Sequence, residues 1–582
     1  MRKILALCMA ATATACAGAS RPPAPAPVAG GGAVIRGTRI IPATWTTRAR
    51  PVTVPHAMVV SAHPLASQAG LEILKQGGTA MDAAIAVGFA LEVVLPDAGN
   101  IGGGGFIVQR TATGDVSALD YREAAPAGAT HDMYVDSAGN VTNKSEVGHL
   151  AVGVPGSVAG LYAEWKRYGS LPWAALIAPA IRLAQGHVID TARSRDIAAD
   201  RELLAQFPAS RAQFLVRDSA PAPGTMWRQV DLARTLQLLS DSGPDVFYRG
   251  QIADLIVAEM ERGGGLIRKD DLRRYQAKWR TPVQLTYRGS TIFSMPPPSS
   301  GGVTMGEILN ILEGYDTIPA FGTPAYVHLL TEAMRRGFMD RNRWLGDPDF
   351  VDMPLDRLLS KSYAATLRAQ IDPRRATPTP PQATGGGEAM ETTHYSVVDE
   401  KGNAVSVTTT LNGGFGSGVT VTGAGFLLNN EMDDFTSAPG KPNMYGLIQG
   451  EANAIAPRKR MLSAMTPSIV TDSAGQVQLV VGSPGGPTII TTVAQVIMNV
   501  LDQRMGLADA IAAPRIHHQA LPDETFYEHG GLSDATVHAV EAMGHKLSER
   551  GGRYGFVAGI QRVAGGWVGV ADPRIAGGAI GY

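Results

Sequence analysis

Two adjacent threonines and a third one eighteen residues later are the residues whose types and spacing first suggest chemistry. The stretch TTHYSVVDEKGNAVSVTTTLN, residues 392–412, contains two strand-like runs joined by a Gly/Asn turn that is typical of antiparallel hairpins. If Val398 pairs with Ala404, Thr392 lies opposite Thr410. Opposed residues have their Cβ atoms about 4.5–5.5 Å apart, so the two hydroxyls come within hydrogen-bond reach. This depends on the register, because a slip of one residue turns the second hydroxyl to the opposite face.

A threonine hydroxyl becomes an effective nucleophile only when a base removes its proton. A free α-amino group, with a pKa of about 7.7–8.0, would supply that base if Thr392 were the first residue of a chain. Cutting the Glu391–Thr392 bond would create this end, and the Pro/Gly-rich run TPTPPQATGGGEAM before it would let the severed end move away. The alternative interpretation is structural, because threonines are common in strands and Pro/Gly-rich linkers are common before them.

The composition excludes one broad class of function. The chain has 582 residues, a formal net charge of −1 and 45% hydrophobic residues, which is enough for an extensive core or for two domains. Lys and Arg are scattered and form no basic stripe, so nucleic-acid binding is not expected.

The N-terminus has the features of an export signal. Residues 1–19 contain a short basic start, an apolar run and then small residues, and Ala13 and Ala15 fit a signal-peptidase cleavage pattern. The sequence therefore predicts a periplasmic protein. Lipidation of Cys16 is the alternative, although Ala13 stands where such signals usually have leucine.

The segment after the signal is a Pro-, Ala- and Gly-rich tether, residues 20–55, which we predict to lie outside the fold. The one cysteine besides Cys16 is Cys8, inside the signal, so the mature chain is expected to have no disulfide. No later segment has the ~18 uninterrupted apolar residues of a spanning helix. The nearest candidate, AMDAAIAVGFALEVVLP, carries Asp82 and Glu92 and is predicted to be a buried helix.

The elements around the threonine hairpin predict a layered fold. A short strand at 57–62 leads into a helix that ends at Gly77, and Thr79 with Asp82 resembles a capping box for the next helix. The pattern is mostly helical from 150 to 370, with paired strands in PVQLTYRGSTIFSMPPP, and mainly strand-like after 392. Helices flanking strands without strict βαβ alternation favour a layered sandwich.

A series of motifs occurs in the order in which one protein family has them. These are GNIGGGGF, LDYREAAP, TTHYSVVDEKGNAVSVTTTLN, GFLLNNEMDDF, PNMYGL, LSAMTPSIV, GSPGGPTIITTV, APRIHHQALPDE and the terminal GY. From about residue 56 to 582 the chain resembles the γ-glutamyltransferase (γ-glutamyltranspeptidase) family. The resemblance implies an α/β (α+β) fold, a four-layer αββα sandwich of the N-terminal-nucleophile hydrolase type. It also implies one precursor that cuts itself into a large subunit, 56–391, and a small catalytic subunit, 392–582.

The resemblance also assigns the reacting residues. Thr392 is implied as the nucleophile of both self-cleavage, at the Glu391–Thr392 bond, and turnover, and Thr410 matches the threonine that hydrogen-bonds it. Gly485 and Gly486 in GSPGG match the glycines whose N–H groups form the oxyanion hole, where the missing side chains permit close approach. Without the family, a Gly-Gly pair indicates an ordinary tight turn.

Six further residues match the donor-binding and lid positions of the family. Arg122 in DYREAAP matches the arginine that clamps the donor α-carboxylate, for which a guanidinium fork is suited. Ser463 matches the first serine of a carboxylate-binding pair, and Tyr445 matches the tyrosine of a lid that shields the acyl-enzyme from water. The residues that match those holding the α-amino group are Asn412, Glu431 and Asp434. Read without the family, NNEMDDF is an acidic loop that lacks calcium-loop spacing.

One position departs from the family pattern. The second serine of the carboxylate-binding pair is Ala464 here, so one hydroxyl near the donor carboxylate is missing. A contributing hydroxyl would be worth ~1 kcal/mol of donor affinity, whereas a position that binds through its backbone N–H would lose little. The substitution leaves the donor open, because acylases share this fold.

The resemblance implies a γ-glutamyltransferase and glutathione hydrolase whose small-molecule substrates are glutathione, other γ-glutamyl compounds, and amino acid or peptide acceptors. No cofactor or metal is expected; the twelve histidines include IHHQ but no HExxH-like spacing. A cephalosporin-type acylase of the same fold is the nearest alternative. An unprocessed envelope protein that only binds peptides is the alternative from another class.

Overall fold

The structure is a computed structural model that describes residues 34–379, 392–438, 440–551 and 554–582. These described residues form one compact unit. The predicted signal, Cys16, the first part of the tether and Glu391 lie outside the described residues.

Strands and helices succeed one another along the chain without a regular alternation. The strands are β1 (Val34–Arg36), β2 (Val52–Val54), β3 (Met58–Ser61), β4 (Gly104–Arg110), β5 (Val116–Asp120), β6 (His187–Val188), β7 (Met226–Trp227), β8 (Lys278–Arg280), β9 (Val283–Tyr287), β10 (Ser290–Ser294), β11 (Thr317–Pro319), β12 (Thr393–Val398), β13 (Ala404–Thr410), β14 (Ser468–Thr471), β15 (Val477–Val481), β16 (Ile516–His517), β17 (Thr525–Glu528), β18 (Leu547–Arg550), β19 (Ala558–Val563), β20 (Gly566–Ala571) and β21 (Gly578–Gly581). The α-helices are α1 (Pro64–Lys75), α2 (Ala80–Val94), α3 (Ser157–Tyr168), α4 (Trp173–Gln185), α5 (Thr191–Ala199), α6 (Arg201–Ala205), α7 (Pro208–Phe214), α8 (Val230–Ser242), α9 (Asp245–Tyr248), α10 (Gln251–Gly263), α11 (Lys269–Arg274), α12 (Gly301–Glu313), α13 (Pro324–Trp344), α14 (Leu355–Leu358), α15 (Lys361–Arg368), α16 (Thr488–Leu501), α17 (Leu507–Ala512) and α18 (Asp534–Ala542). Short 3-10 helices lie at Asn143–Ser145, His149–Ala151, Glu431–Asp434 and Glu451–Asn453.

Two antiparallel sheets of seven strands each form the centre of the described fold. The first has the strand order β21-β3-β12-β13-β4-β5-β8, and the second has the order β2-β20-β19-β15-β14-β10-β9. Their inner faces pack together, with β12 against β19 and β3 against β20. Helices α1 and α2 cover the outer face of the first sheet, and α12 and α17 cover that of the second. The predicted four-layer αββα sandwich is therefore confirmed.

The threonine hairpin occupies the middle of the first sheet. Strands β12 and β13 pair from Val398 with Ala404 to Thr393 with Thr409, which is the register predicted from the sequence. Every residue of both strands is buried. The turn is closed by Asp399, whose carboxylate accepts from the backbone N–H of Asn403 at 3.0 Å. A hairpin this completely buried cannot slip by one residue without turning its whole side-chain set to the wrong face.

Other local predictions are also confirmed. Helix α1 ends at Lys75, and Gly77, two residues later, has the left-handed φ of 88° expected of a glycine at a helix end. Thr79 and Asp82 form the capping box of α2. All residues of α2 are buried, as expected for an apolar helix that carries only two acidic groups. Among the described helices, none is both long and apolar enough to cross a lipid bilayer.

Residues 34–55 correct one sequence-based prediction, because they belong to the fold and not to the tether. Strand β1 pairs with β11, and β2 adds an edge to the second sheet beside β20. Trp45 is buried and its indole N–H donates to the carbonyl of Ala512 at 2.9 Å. The Pro/Ala/Gly-rich average composition of the segment concealed the two valines of β2 and the buried Trp45, which pair it and pack it against the core.

Two buried histidines predict a loss of stability in acid. Burial lowers the pKa of both His394 and His517 to about 3. Below the unfolded-state pKa of about 6.5 the unfolded chain binds protons that these folded side chains do not, so their contribution is complete above pH 6.5 and is lost as the pH falls toward 3. Each fully linked group changes the free energy of unfolding by about 1.4 kcal/mol per pH unit.

Calorimetric melting temperatures at fixed scan rate between pH 7.5 and 4.5 test this linkage. We expect His517→Gln to reduce the decrease in melting temperature between pH 6.5 and 4.5. The matched control is His131→Gln, at an exposed histidine whose pKa Asp132 raises, which has the opposite sign of linkage. Equal acid-induced decreases in the wild type and the His517→Gln variant would refute the prediction.

Candidate active site

The hydroxyl groups of the two predicted threonines are hydrogen-bonded at the edge of the hairpin. Thr392 immediately precedes β12, and its Oγ lies 3.1 Å from Oγ of Thr410, the last residue of β13. The Thr410 hydroxyl also accepts from the backbone N–H of Asn412 at 2.8 Å. Both threonines are buried. The geometry thus places the predicted nucleophile against a polar partner that fixes its orientation.

The glycine run GNIGGGGF gives β13 its position. A side chain on Gly103 would place its Cβ 2.2 Å from the carbonyl oxygen of Thr410, so only glycine permits this approach. From the same run, the Asn100 side chain donates to that carbonyl at 2.9 Å. The motif therefore holds the carboxyl end of β13, where Thr410 meets Thr392.

Arg122 lies at the centre of a buried charge cluster. Its guanidinium donates to carboxylate oxygens of Glu431 and Asp434, and its Nε donates to the carbonyl of Met461 at 3.2 Å. A third carboxylate, that of Glu123, lies 3.6 Å from the Arg122 guanidinium. The predicted carboxylate clamp and two predicted amine-binding residues are thus together, paired with one another.

Burial dominates the electrostatics of this cluster. Desolvation raises the pKa of Glu431 well above its ordinary value although the Arg122 charge opposes the shift. Desolvation also raises the pKa of Glu123 to about 7, again against the attraction of Arg122. Since one guanidinium faces three carboxyl groups, the cluster has the capacity to accept a cationic ammonium group.

Ser463 and Ala464 lie in an extended segment held by the turn before α12. The Ser463 N–H donates to the carbonyl of Pro298 at 2.8 Å, and the Ser300 N–H donates to the Ser463 carbonyl at 2.7 Å. The Ser463 hydroxyl accepts from the N–H of Met465 at 3.1 Å. Ala464 contributes its methyl group to the cavity wall, at the place of the missing hydroxyl.

Gly485 and Gly486 form the turn between β15 and α16. Their φ angles of 130° and 53° lie in the region that favours glycine. Among the residues that the structure describes, neither glycine N–H donates to another group. Both N–H groups precede the first turn of α16, where the helix dipole favours negative charge. These are the properties that an oxyanion hole requires.

Tyr445, the predicted lid tyrosine, lines the cavity. The hydroxyl of Tyr445 lies 2.8 Å from both the carbonyl oxygen and the side-chain oxygen of Asn412. A Cβ on Gly486 would lie 2.8 Å from the Tyr445 ring, so the ring packs directly on the glycine turn. Asn412 has a φ of 80°, which asparagine tolerates better than most residues.

One cavity collects the predicted residues that the structure describes, and Gly485 adjoins it. It is lined by Arg122, Arg341, Thr392, Thr410, Asn412, Glu431, Asp434, Tyr445, Leu447, Leu462, Ser463, Ala464, Met465, Gly486, Pro487 and Ile489. Sequence reasoning missed Arg341 and the apolar wall. Arg341 comes from the C-terminal part of a long helix, α13, and nothing in the local pattern distinguishes it from the other arginines of that helix.

A second polar cluster lies away from the cavity. His328 Nδ1 and His545 Nε2 are 2.7 Å apart, and with Glu332 they are close enough to share a metal ion. The Glu332 carboxylate, however, already accepts from Thr377 and pairs with Arg336. This cluster binds the segment around residues 372–377, which lies shortly before residue 380. Because the Glu332 carboxylate is already engaged, few of its atoms remain to bind a metal ion.

The αββα sandwich, with Thr392 directly before its central hairpin, has the architecture of the N-terminal-nucleophile hydrolases. A sequence model described as gamma-glutamyltranspeptidase matches residues 66–582, and the chain belongs to this family. The glutathione hydrolase proenzyme of Escherichia coli (strain K12) is 46% identical over 86% of this chain and 87% of its own length.

Two solved structures represent different activities on the same fold. The cephalosporin acylase from Bacillus halodurans matches with a TM-score of 0.82 at 29% identity, over 93% of this chain and 98% of that chain. The gamma-glutamyltranspeptidase of Helicobacter pylori matches with a TM-score of 0.53 at 44% identity, over 55% of this chain and 92% of that chain.

Proposed function

We propose that this protein is a self-processing γ-glutamyltransferase and glutathione hydrolase. It cleaves the γ-glutamyl amide of glutathione and related compounds through an acyl-enzyme on Thr392. The observation that carries the proposal is the placement of the Thr392 hydroxyl, 3.1 Å from that of Thr410, in the cavity that also holds the Arg122 cluster. Family membership and identity to glutathione hydrolase proenzymes support it.

The proposed reaction uses these groups in turn. After cleavage of the Glu391–Thr392 bond, the new α-amine takes the proton of the Thr392 hydroxyl, whose oxygen attacks the γ-carbonyl carbon. The N–H groups of Gly485 and Gly486 stabilise the oxyanion. The protonated amine gives its proton to the leaving nitrogen, and the γ-glutamyl ester forms. Water then releases glutamate, or the amine of an amino acid or peptide takes the acyl group. No step requires a metal or an organic cofactor.

The cleaved protein is proposed to remain a heterodimer of a large subunit, which ends at residue 391 and includes residues 34–55, and a small subunit, 392–582. Strands β12 and β13 of the small subunit pair on one side with β3 and on the other with β4, both from the large subunit. Separation would break these ladders and expose a buried sheet. The described end of the large subunit is also held, because the Thr379 N–H donates to the Asp523 carboxylate at 2.8 Å.

The donor is proposed to bind as an amino acid head group. Arg122 and Ser463 hold the α-carboxylate. The α-amino group lies among Asn412, Glu431 and Asp434. When the donor binds, its carboxylate and its amino group therefore replace part of the pairing between Arg122 and the two acidic residues. Tyr445 closes the cavity and shields the acyl-enzyme from water.

We further propose export to the periplasm through the N-terminal signal, with a lipid anchor on Cys16 as the alternative.

A cephalosporin-type acylase activity is the second candidate, favoured by the likeness to a solved acylase and by Ala464. Comparing γ-glutamyl and glutaryl anilides on the wild-type protein separates the two. The glutaryl group lacks the α-amino cation, so the three carboxyl groups around Arg122 would be left uncompensated. We expect kcat/KM for the γ-glutamyl anilide to be at least about 100-fold higher. Equal values would favour the acylase.

A further inference from the structure

A second guanidinium, that of Arg341, faces the donor cavity. Arg341 lies on α13 with 1% of its surface exposed. Its Nε donates to the Ser300 hydroxyl at 2.9 Å, and its Nη1 donates to the side-chain oxygens of Asn342, at 2.9 Å, and Gln449, at 3.1 Å. All three acceptors are neutral. In the described part of the chain, Nη2 donates to no residue and no carboxylate lies within ion-pair distance of Arg341; the Asp434 charge acts on it from farther away.

Other deeply buried arginines of the described fold have carboxylate partners. Arg122 pairs with Glu431 and Asp434, and Arg515 pairs with Asp572. A buried charge without an ion pair is costly, and burial lowers the pKa of Arg341 to about 10 although the Asp434 charge opposes the shift, so Arg341 is protonated at neutral pH. A cation in this position is complementary to an anion that enters the cavity from outside the protein.

The donor α-carboxylate is the anion that the proposed reaction brings into the cavity. Arg122 already has two carboxylate partners, so it cannot give this anion an unopposed positive charge. Ala464 removes a hydroxyl from the same region. Arg341 also connects both sides of the site, because Ser300 supports the Ser463 segment and the Gln449 side chain donates to the Asp434 carbonyl at 3.2 Å.

We propose that Arg341 is a specificity-determining residue whose free Nη2 attracts the donor α-carboxylate and selects donors in which this carboxylate is free. The inference rests on the proposed γ-glutamyl activity. The inference adds Arg341 to the donor site. Arg341 acts through its charge, and its hydrogen-bond acceptors among the described residues are all neutral.

The test compares γ-glutamyl p-nitroanilide with its α-carboxamide analogue. In Arg341→Gln we expect KM for the carboxylate donor to rise at least about tenfold and KM for the carboxamide to change less than twofold, with kcat for both within about threefold. The matched control is Arg343→Gln, the same change two residues along α13 at an exposed position, which should alter neither constant.

A second variant keeps Arg341 and neutralises its charge. Gln449→Glu places a carboxylate at the acceptor that now lies 3.1 Å from Nη1, so we expect the same selective rise in KM for the carboxylate donor. This variant carries the test if Arg341→Gln does not mature. A parallel rise of KM for both donors, or an unchanged ratio in both variants, would overturn the proposal. Failure of the wild type to cleave either donor would instead refute the proposed function.

Discussion

Thr392→Ala is expected to remain a single uncut chain, whereas the wild type yields a fragment of about 20 kDa, the share of 61.1 kDa that residues 392–582 represent. The variant lacks the single hydroxyl that attacks both the preceding peptide bond and the donor. Turnover of γ-glutamyl donors should therefore fall by at least about 1,000-fold. Intact mass spectrometry and an anilide assay on the same preparations measure both effects.

Thr393→Ala is the matched control. It removes a neighbouring threonine hydroxyl that is buried and has no hydrogen-bond partner among the described residues. We expect this variant to be cleaved and to retain activity within about tenfold. A fragment beginning at residue 392 in the Thr392→Ala variant would contradict the assignment of the nucleophile. A single uncut chain in the wild type would make a non-catalytic binding protein the better interpretation.

Arg122→Gln is expected to have the second largest effect. The substitution removes the counter-charge of two buried carboxylates, and breaking a buried ion pair costs about 3–5 kcal/mol of stability. It also removes the proposed clamp of the donor α-carboxylate. We expect kcat/KM of the folded, processed protein to fall at least about 100-fold, mainly through KM. Steady-state kinetics and calorimetric melting temperatures on the same preparation separate the two consequences.

Arg460→Gln is the matched control for Arg122→Gln. Arg460 is a buried arginine that pairs with Asp120 and lies near the site, but it does not line the cavity. Its loss should lower the melting temperature comparably while leaving kcat/KM of the folded protein within about tenfold. If both variants lose the same activity per folded molecule, the role of Arg122 is structural and the donor clamp must lie elsewhere.

Local predictions were confirmed where the interacting residues lie close together in the sequence. The hairpin register follows from a five-residue loop and strict burial, so Thr392 and Thr410 meet as expected. The capping box of α2 follows from two side chains three residues apart. The predicted end of the tether at residue 55 was wrong. Averaged composition cannot show that Trp45 and the three-residue strand β2 find partners more than 400 residues away.

The amino-acid sequence by itself determined the hairpin, the order of the family motifs and the identity of the groups that can react. Only the tertiary structure decided how those groups meet. It paired Arg122 with Glu431 and Asp434, brought Gly486 into the same cavity as Thr392, and brought Arg341 from α13 to that cavity. Pairing and desolvation depend on distances between segments far apart in the chain, and these distances exist only after the two sheets have packed.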